Sequence, residues 1–286
     1  MTFEALPLES VPGGLFSAAY VERSNAHHPS WSGASFAWDS NACPVTLDLS
    51  DMCIGGDFGP IASASNPNKE GWPFGISAES TCGSVGYTQE ERRTMVREQL
   101  KAGTEKAVER ELQKGEAAIV GSHFDSHYLA DFDATTLGGA TALSITLGIA
   151  TMEQALADCG IGTQGVIHMT RSAAIVAAGA DLVKEKGNKL FTKIGTPVVA
   201  GTGYDQAATI PAAKPTTAAK PVVVSPASLT SEQLIYATGP IAVRLGPIEI
   251  LDDIFDKIKN EFTMVATRPA AVYMDSCCHF AAKVKL

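Results

Sequence analysis

Residues 88–114 read TQEERRTMVREQLKAGTEKAVERELQK, and the rest of the chain is organised around them. The spacing predicts one long helix, a rod of roughly 40 Å at about 1.5 Å per residue. Thr88 followed by Glu91 has the form of a capping box, with the hydroxyl taking an orphan N–H and the carboxylate reaching back. Gly115 lies just past the end, where a left-handed cap is wanted. Opposite charges stand at same-face spacing, Lys101 with Glu98 and Glu105, and Lys106 with Glu109. The apolar residues are few: Met95, Val96, Leu100, Val108 and Leu112, with Ala107 beside them. A helix this long and this polar is expected to lie across a surface, wetted on most sides.

The 286 residues suffice for a sizeable core, expected in two lobes. A formal net charge of −9 and the lack of a basic stripe or tail argue against a sequence-independent nucleic-acid binder. The first residues carry Glu4 and Glu9 and no basic region, so no secretory leader is expected. No apolar run of about 18 residues occurs, so no membrane span is expected. The six cysteines (43, 53, 82, 159, 277 and 278) form no close CxxC pair and are expected to be reduced thiols.

Outward from the helix, residues 1–35 are broken by Pro7, Pro12, Gly13, Gly14, Pro29 and Gly33. They read as an arm that drapes over something else or as a mobile terminus. Residues 36–86 contain two extended pieces, Cys43–Leu49 and Trp72–Cys82, around a Gly/Pro/Asn-rich tip. That pattern predicts a long projecting hairpin whose partner is another chain. Beyond the helix, residues 141–158 are expected to form a second helix buried on most sides, and residues 171–184 a third. Strands are expected at Val166–Met169, Thr196–Gly201, Leu234–Ala237, Ile241–Leu245 and Phe262–Arg268, with residues 251–259 helical or irregular. Residues 207–221, AATIPAAKPTTAAKP, are a low-complexity loop. Cys278, Phe280, Ala282, Val284 and Leu286 alternate with His279, Ala281, Lys283 and Lys285, which predicts a half-buried strand in the sheet under the long helix. Helices and strands mix without a regular βαβ rhythm, so the class is α+β.

Motifs for chemistry are weak. Gly160–Gly165 matches G-x-G-x-x-G, but a helix precedes it and a strand follows, the reverse of a dinucleotide site, so it reads as a helix-stop turn. His123 and His127 in HFDSH are four apart, yet Phe124 stands where a zincin has its Glu. There is no G-x-S-x-G elbow and no phosphate loop. Lys69 is the only lysine before the long helix, at the hairpin tip, where it reads as a solubilising charge or a contact to a neighbouring subunit.

The order of these pieces resembles the major capsid proteins of tailed phages, the HK97-like fold. The local likeness lies in Ser80–Lys114, in GVIHMTRSAA (165–174), in GTPVVAGTGYD (195–205), in YATGP (236–240) and in the closing YMDSCCHFAAKVKL, which look like pieces of actinobacterial phage head proteins. The resemblance implies an N-terminal arm (1–35), an extended loop and start of the peripheral domain (36–86), and the peripheral domain with its spine helix (87–129). It further implies an axial domain (130–245) and a return to the peripheral domain (246–286). It implies no enzyme activity and no cofactor. It implies a subunit that joins copies of itself into hexamers and pentamers of an icosahedral virion shell assembled in the host cytoplasm. Scaffold, portal and cement proteins are its further implied partners. Double-stranded DNA would be enclosed without specific grip. Lys69, Arg92, Arg93, Arg97 and Glu98 are the candidate inter-subunit contacts. Two alternatives stand beside it: an encapsulin-like compartment shell or minor head protein, and a cytosolic metal-dependent enzyme using His123, Asp125 and His127.

Overall fold

The computed structural model describes residues 11–24, 36–39, 68–83, 88–120, 127–139, 141–159, 165–212, 214, 231–256, 261–275 and 277–286. In chain order the first elements are α1 (Leu15–Ala18), β1 (Tyr20–Arg23), β2 (Phe36–Asp39), β3 (Asn68–Gly71), β4 (Phe74–Gly83), α2 (Gln89–Lys114) and α3 (Glu116–Val120). Then come β5 (Thr135–Leu137), β6 (Leu143–Ser144), α4 (Ile145–Cys159), β7 (Val166–Thr170), α5 (Arg171–Gly179), β8 (Val183–Lys186), β9 (Lys189–Thr192) and β10 (Pro197–Gly201). The chain closes with β11 (Glu232–Thr238), β12 (Ile241–Leu245), β13 (Glu249–Asp256), β14 (Glu261–Met274) and β15 (Phe280–Lys285).

The long helix begins and ends where its caps require. Thr88 accepts from the Glu91 N–H, and Glu91 accepts from the Thr88 N–H at 2.8 Å. Gly115 adopts φ 60°, and a Cβ there would meet Tyr128 Cδ1 at 2.5 Å, so glycine is needed for both conformation and space. Arg92, Val96, Leu100, Thr104, Val108 and Leu112 are all buried, a strict four-residue repeat. Each such step advances about 40° beyond a full turn, so the buried stripe winds roughly 200° around the helix. α2 packs along β4 and β14, with Arg92 near its start over Phe262 and Ala107 and Glu111 near its end beside Phe74 and Ile76.

Two sheets carry the fold. In the five-stranded one, β12 and β13 follow each other along one edge of β14, and β4 pairs along the other edge. β1 adds to β12 in parallel. This sheet and α2 share a core that includes Val96, Leu100, Met264, Ala266, Val243 and Leu245. The eight-stranded sheet has the order β5-β15-β11-β7-β10-β9-β8, with β6 also on β15. Its core includes Ile149, Met152, Ile167, Met169, Val198, Ile235 and Val284, with α4 and α5 packed on it. β2 and β3 form a separate two-stranded ribbon.

Several expectations are corrected. Residues 11–24 are not a loose arm: Leu15 is fully buried and β1 is a sheet strand. β15 lies inside the eight-stranded sheet, not the five-stranded one along which α2 packs, and buries Ala281, Ala282 and Val284 from both its faces. α4 is buried on one face only, through Ile145, Gly148, Ile149 and Met152, while Leu147 is 53% exposed. α5 stops at Gly179 because the chain turns through Asp181 at φ 58° into β8. Residues 249–256 are a strand, whose register shifts between Leu251 and Ile254. Cys159 and Cys278 are joined in a disulfide, not left as thiols; the end of α4 and the start of β15 meet there with Cα atoms 5.7 Å apart. The Cys43–Leu49 strand, the hairpin tip and most of the 207–221 loop lie outside the described residues.

Candidate functional site

The second half of α2 is a polar clamp on two other segments. Glu105, Glu109 and Gln113 are spaced by four, so their side chains rise from one flank of the helix. Glu109 is fully buried. Its Oε1 accepts from the Leu15 N–H at 3.0 Å; its Oε2 accepts from the Gly203 N–H at 2.7 Å and from the Thr202 hydroxyl at 3.0 Å. Burial pushes the Glu109 carboxyl up from its ordinary range, and the Gly203 and Leu15 N–H groups pull it back. Glu105 accepts from the Phe16 N–H at 2.8 Å. Gln113 brackets Asp205, accepting from its N–H at 2.6 Å and donating to its carbonyl at 3.1 Å, and Lys114 pairs with its carboxylate.

Close approach makes this possible. A Cβ on Gly14 would lie 2.4 Å from Glu105 Oε1, and one on Gly203 would lie 2.3 Å from the Lys106 carbonyl oxygen. The first described segment also reaches the eight-stranded sheet, because Gly13 accepts from the Ala200 N–H at 2.8 Å and donates to Asn188 O at 3.0 Å. Residues 13–23 thus join α2, the eight-stranded sheet and, through β1, the five-stranded sheet.

The five expected contact residues part company. Arg92 does not face outward: its residue is 8% exposed and its guanidinium sits 4.4 Å from the centroid of the Phe262 ring in its own β14. Arg93 is half-exposed, 3.8 Å from Glu90. Arg97 is part-exposed. Glu98 is about as exposed as Arg93 and pairs with Lys101 at 2.6 Å. Lys69 stands opposite Trp38 in the β2–β3 ribbon, and its side chain lies outside the described part. Exposed apolar side chains appear elsewhere, on α5 (Ile175, 72%) and in the turn before β10 (Ile194, 78%).

Of the HFDSH motif, His123 and Asp125 lie outside the described residues. His127 meets Asp131 and Asp133 instead, with Nδ1 3.9 Å and 3.3 Å from their Oδ2 atoms. His279 approaches the other oxygen of Asp133 at 3.5 Å. Burial, then the charge of Asp133, pushes Asp131 up to about 6, while the facing imidazoles of His127 and His279 hold Asp133 well below the usual range. His168 is a separate, fully buried ring. The Thr238 hydroxyl donates to Gly239 O, so its oxygen accepts from His168 Nε2–H at 3.2 Å. His168 Nδ1 then accepts from the Tyr204 hydroxyl at 2.8 Å, which fixes a neutral ring.

No family model and no curated protein matches the chain. Among solved structures, the capsid of an empty GTA particle matches with a TM-score of 0.54 at 11% identity, over 100% of this chain and 95% of that one. The chain has the HK97-like fold. The capsid of Ralstonia phage GP4 is similar at TM-score 0.50 and 12% identity, over 100% of this chain and 94% of that one. The holo-SrpI encapsulin complex from Synechococcus elongatus is similar at TM-score 0.50 and 8% identity, over 99% and 93%.

Within this HK97-like fold, sequence reasoning missed the clamp. Glu105, Glu109 and Gln113 read as surface charge on a polar helix, and their partners at residues 15, 16, 203 and 205 are about 90 positions away. The available signal was the paired glycines, Gly13-Gly14 and Gly201/Gly203, which mark close backbone approach. Asp125, Asp131 and the Cys277–His279 stretch could each be offered as a third ligand beside His123 and His127, but no spacing demanded one; the structure brings His127 to Asp131 and Asp133, and His279 to Asp133.

Proposed function

We propose that this chain is a shell-forming structural subunit, the coat protein of a tailed-phage head that encloses double-stranded DNA. The observation that carries the reading is a likeness to a capsid subunit spanning the whole chain. In this reading α2 is the spine of a peripheral domain, the eight-stranded sheet is the heart of an axial domain, and residues 36–86 form the extended loop and the start of the peripheral domain. Residues 11–24, within the segment read as the arm, pack on the subunit body. Exposed Ile175 and Ile194, together with Arg93, Arg97 and Glu98, would face other copies, whose many modest contacts sum through closed symmetry.

Negative-stain microscopy and light scattering of the purified full chain test this. Closed shells, capsomers or sheets of capsomers are expected. A monodisperse monomer or dimer at every concentration and salt tried would overturn it. The encapsulin likeness supports a second reading, a compartment shell. Shells that copurify with a fixed protein cargo and no nucleic acid would favour it.

A further inference from the structure

We propose that His127, Asp131, Asp133 and His279 form a binding site for a divalent cation of the zinc class. One donor atom each from His127, Asp131 and Asp133 falls within 4.8 Å of the others. The His127 Nδ1 distances to the two carboxylates are 3.9 Å and 3.3 Å. Donors on a tetrahedral ion with bonds of about 2.0–2.2 Å stand about 3.3–3.6 Å apart, so the two His127 distances are already close to that spacing and the carboxylates need only close in around the ion.

His279 is the independent pointer. It is 4% exposed, and its Nε2 lies 2.9 Å from the Leu129 carbonyl oxygen. A carbonyl only accepts, so Nε2 carries a hydrogen, and Nδ1 is the ring nitrogen left to bind an ion. That Nδ1 is buried without a hydrogen-bond partner and faces Asp133 Oδ1 at 3.5 Å. His127 Nδ1 is likewise buried without a hydrogen-bond partner, beside the same carboxylate. Two ring nitrogens face the carboxylates at the centre of the cluster, where positive charge is favoured. A dication supplies it and balances the two aspartates. The Nε2–H bond to a backbone carbonyl orients the His279 ring, and its Nδ1, now beside Asp133 alone, would swing in as the fourth donor. Two imidazoles with two carboxylates suit zinc better than calcium or magnesium, which favour all-oxygen shells.

The position gives the ion a structural task. Leu129 and Ala130 donate their N–H groups to Leu112 O and Gln113 O at the end of α2, and Thr135 donates to His279 O at the head of β15. A bound ion would staple the end of the long helix to the eight-stranded sheet, whether or not the subunit assembles.

The test uses the full chain, stripped of metal with a chelator and titrated with zinc chloride by isothermal calorimetry. One zinc per chain and a raised thermal midpoint are expected. His127→Gln, Asp133→Asn and His279→Gln should each weaken binding about tenfold or more, with unchanged far-UV circular dichroism. If Asp133→Asn does not fold, His127→Gln, whose ring is partly exposed, carries the test. A folded wild-type chain that takes up no zinc would overturn the proposal. So would undiminished zinc binding in the folded variants, which would place the ion elsewhere, or calcium or magnesium binding more tightly than zinc.

Discussion

At the scale of single residues, two arginines five positions apart on α2 have opposite roles. Arg92 covers Phe262, with Nε and one terminal nitrogen buried without hydrogen-bond partners. Arg92→Ala should therefore cost the subunit about 0.5–2 kcal/mol in a denaturant titration, the range of a cation–π contact with its packing. Arg97→Glu should leave that titration within about 0.5 kcal/mol of wild type and reduce the yield of particles by sedimentation. His168 makes a pH prediction. Burial, helped by the charge of His279, depresses it to about 3 from an ordinary 6.5. The unfolded chain binds that proton and the folded one does not, so the stability is whole above about pH 6.5 and is lost as pH falls toward 3. The loss should approach about 1.4 kcal/mol per pH unit inside that window. Urea titrations of wild type and His168→Gln across pH 4–7 should differ in slope by up to that amount. A parallel pH dependence in both proteins would tell against the assignment.

At the scale of elements, α2 was legible because its signals are local: a capping box, a left-handed glycine and charge pairs at helical spacing. β7, β10 and β12 were legible for the same reason, as apolar runs bounded by turns. β13 was not. Its register shift between Leu251 and Ile254 breaks the two-residue alternation, and Leu251 is 51% exposed, so its pattern matches no template. The buried flank of α2 was hidden because a carboxylate met by three donors looks, in sequence, like one in water. Glu109→Gln keeps the shape but replaces one acceptor oxygen by an NH₂ that must face a donor. It should cost about 1–3 kcal/mol in denaturant unfolding, and Glu98→Gln, on the exposed side, almost nothing. The Cys159–Cys278 bond was illegible for a plain reason: the two residues are 119 apart, and only the packing of α4 on the eight-stranded sheet brings them together.

At the scale of the whole molecule, the fold class was legible, but the division of strands between sheets was not. Alternation tells which face of β15 is apolar; it does not tell which sheet owns the strand. The shell reading makes two predictions here. Ile175→Asp, on an exposed turn of α5, should leave unfolding within about 0.5 kcal/mol of wild type and prevent particle formation under the microscope. Deletion of residues 50–67, which stops short of β3 and β4, should give a soluble subunit with wild-type circular dichroism that fails to close shells. Subunits that unfold in either case would count against an assembly role for that surface.

The strand β1 sets a clock on the subunit. Its Glu22 side chain meets Arg244, 222 residues later in the chain, within the ladder it forms on β12. At roughly 5–20 residues per second, a ribosome needs roughly 10–45 s to deliver β12 after β1 has emerged. Throughout that interval β1 has no ladder to join, although Leu15 and Phe16 can already dock on α2. The joint between the two halves of the molecule is thus among the last things synthesis permits, and a nascent chain is held back from its finished shape until nearly all of it exists.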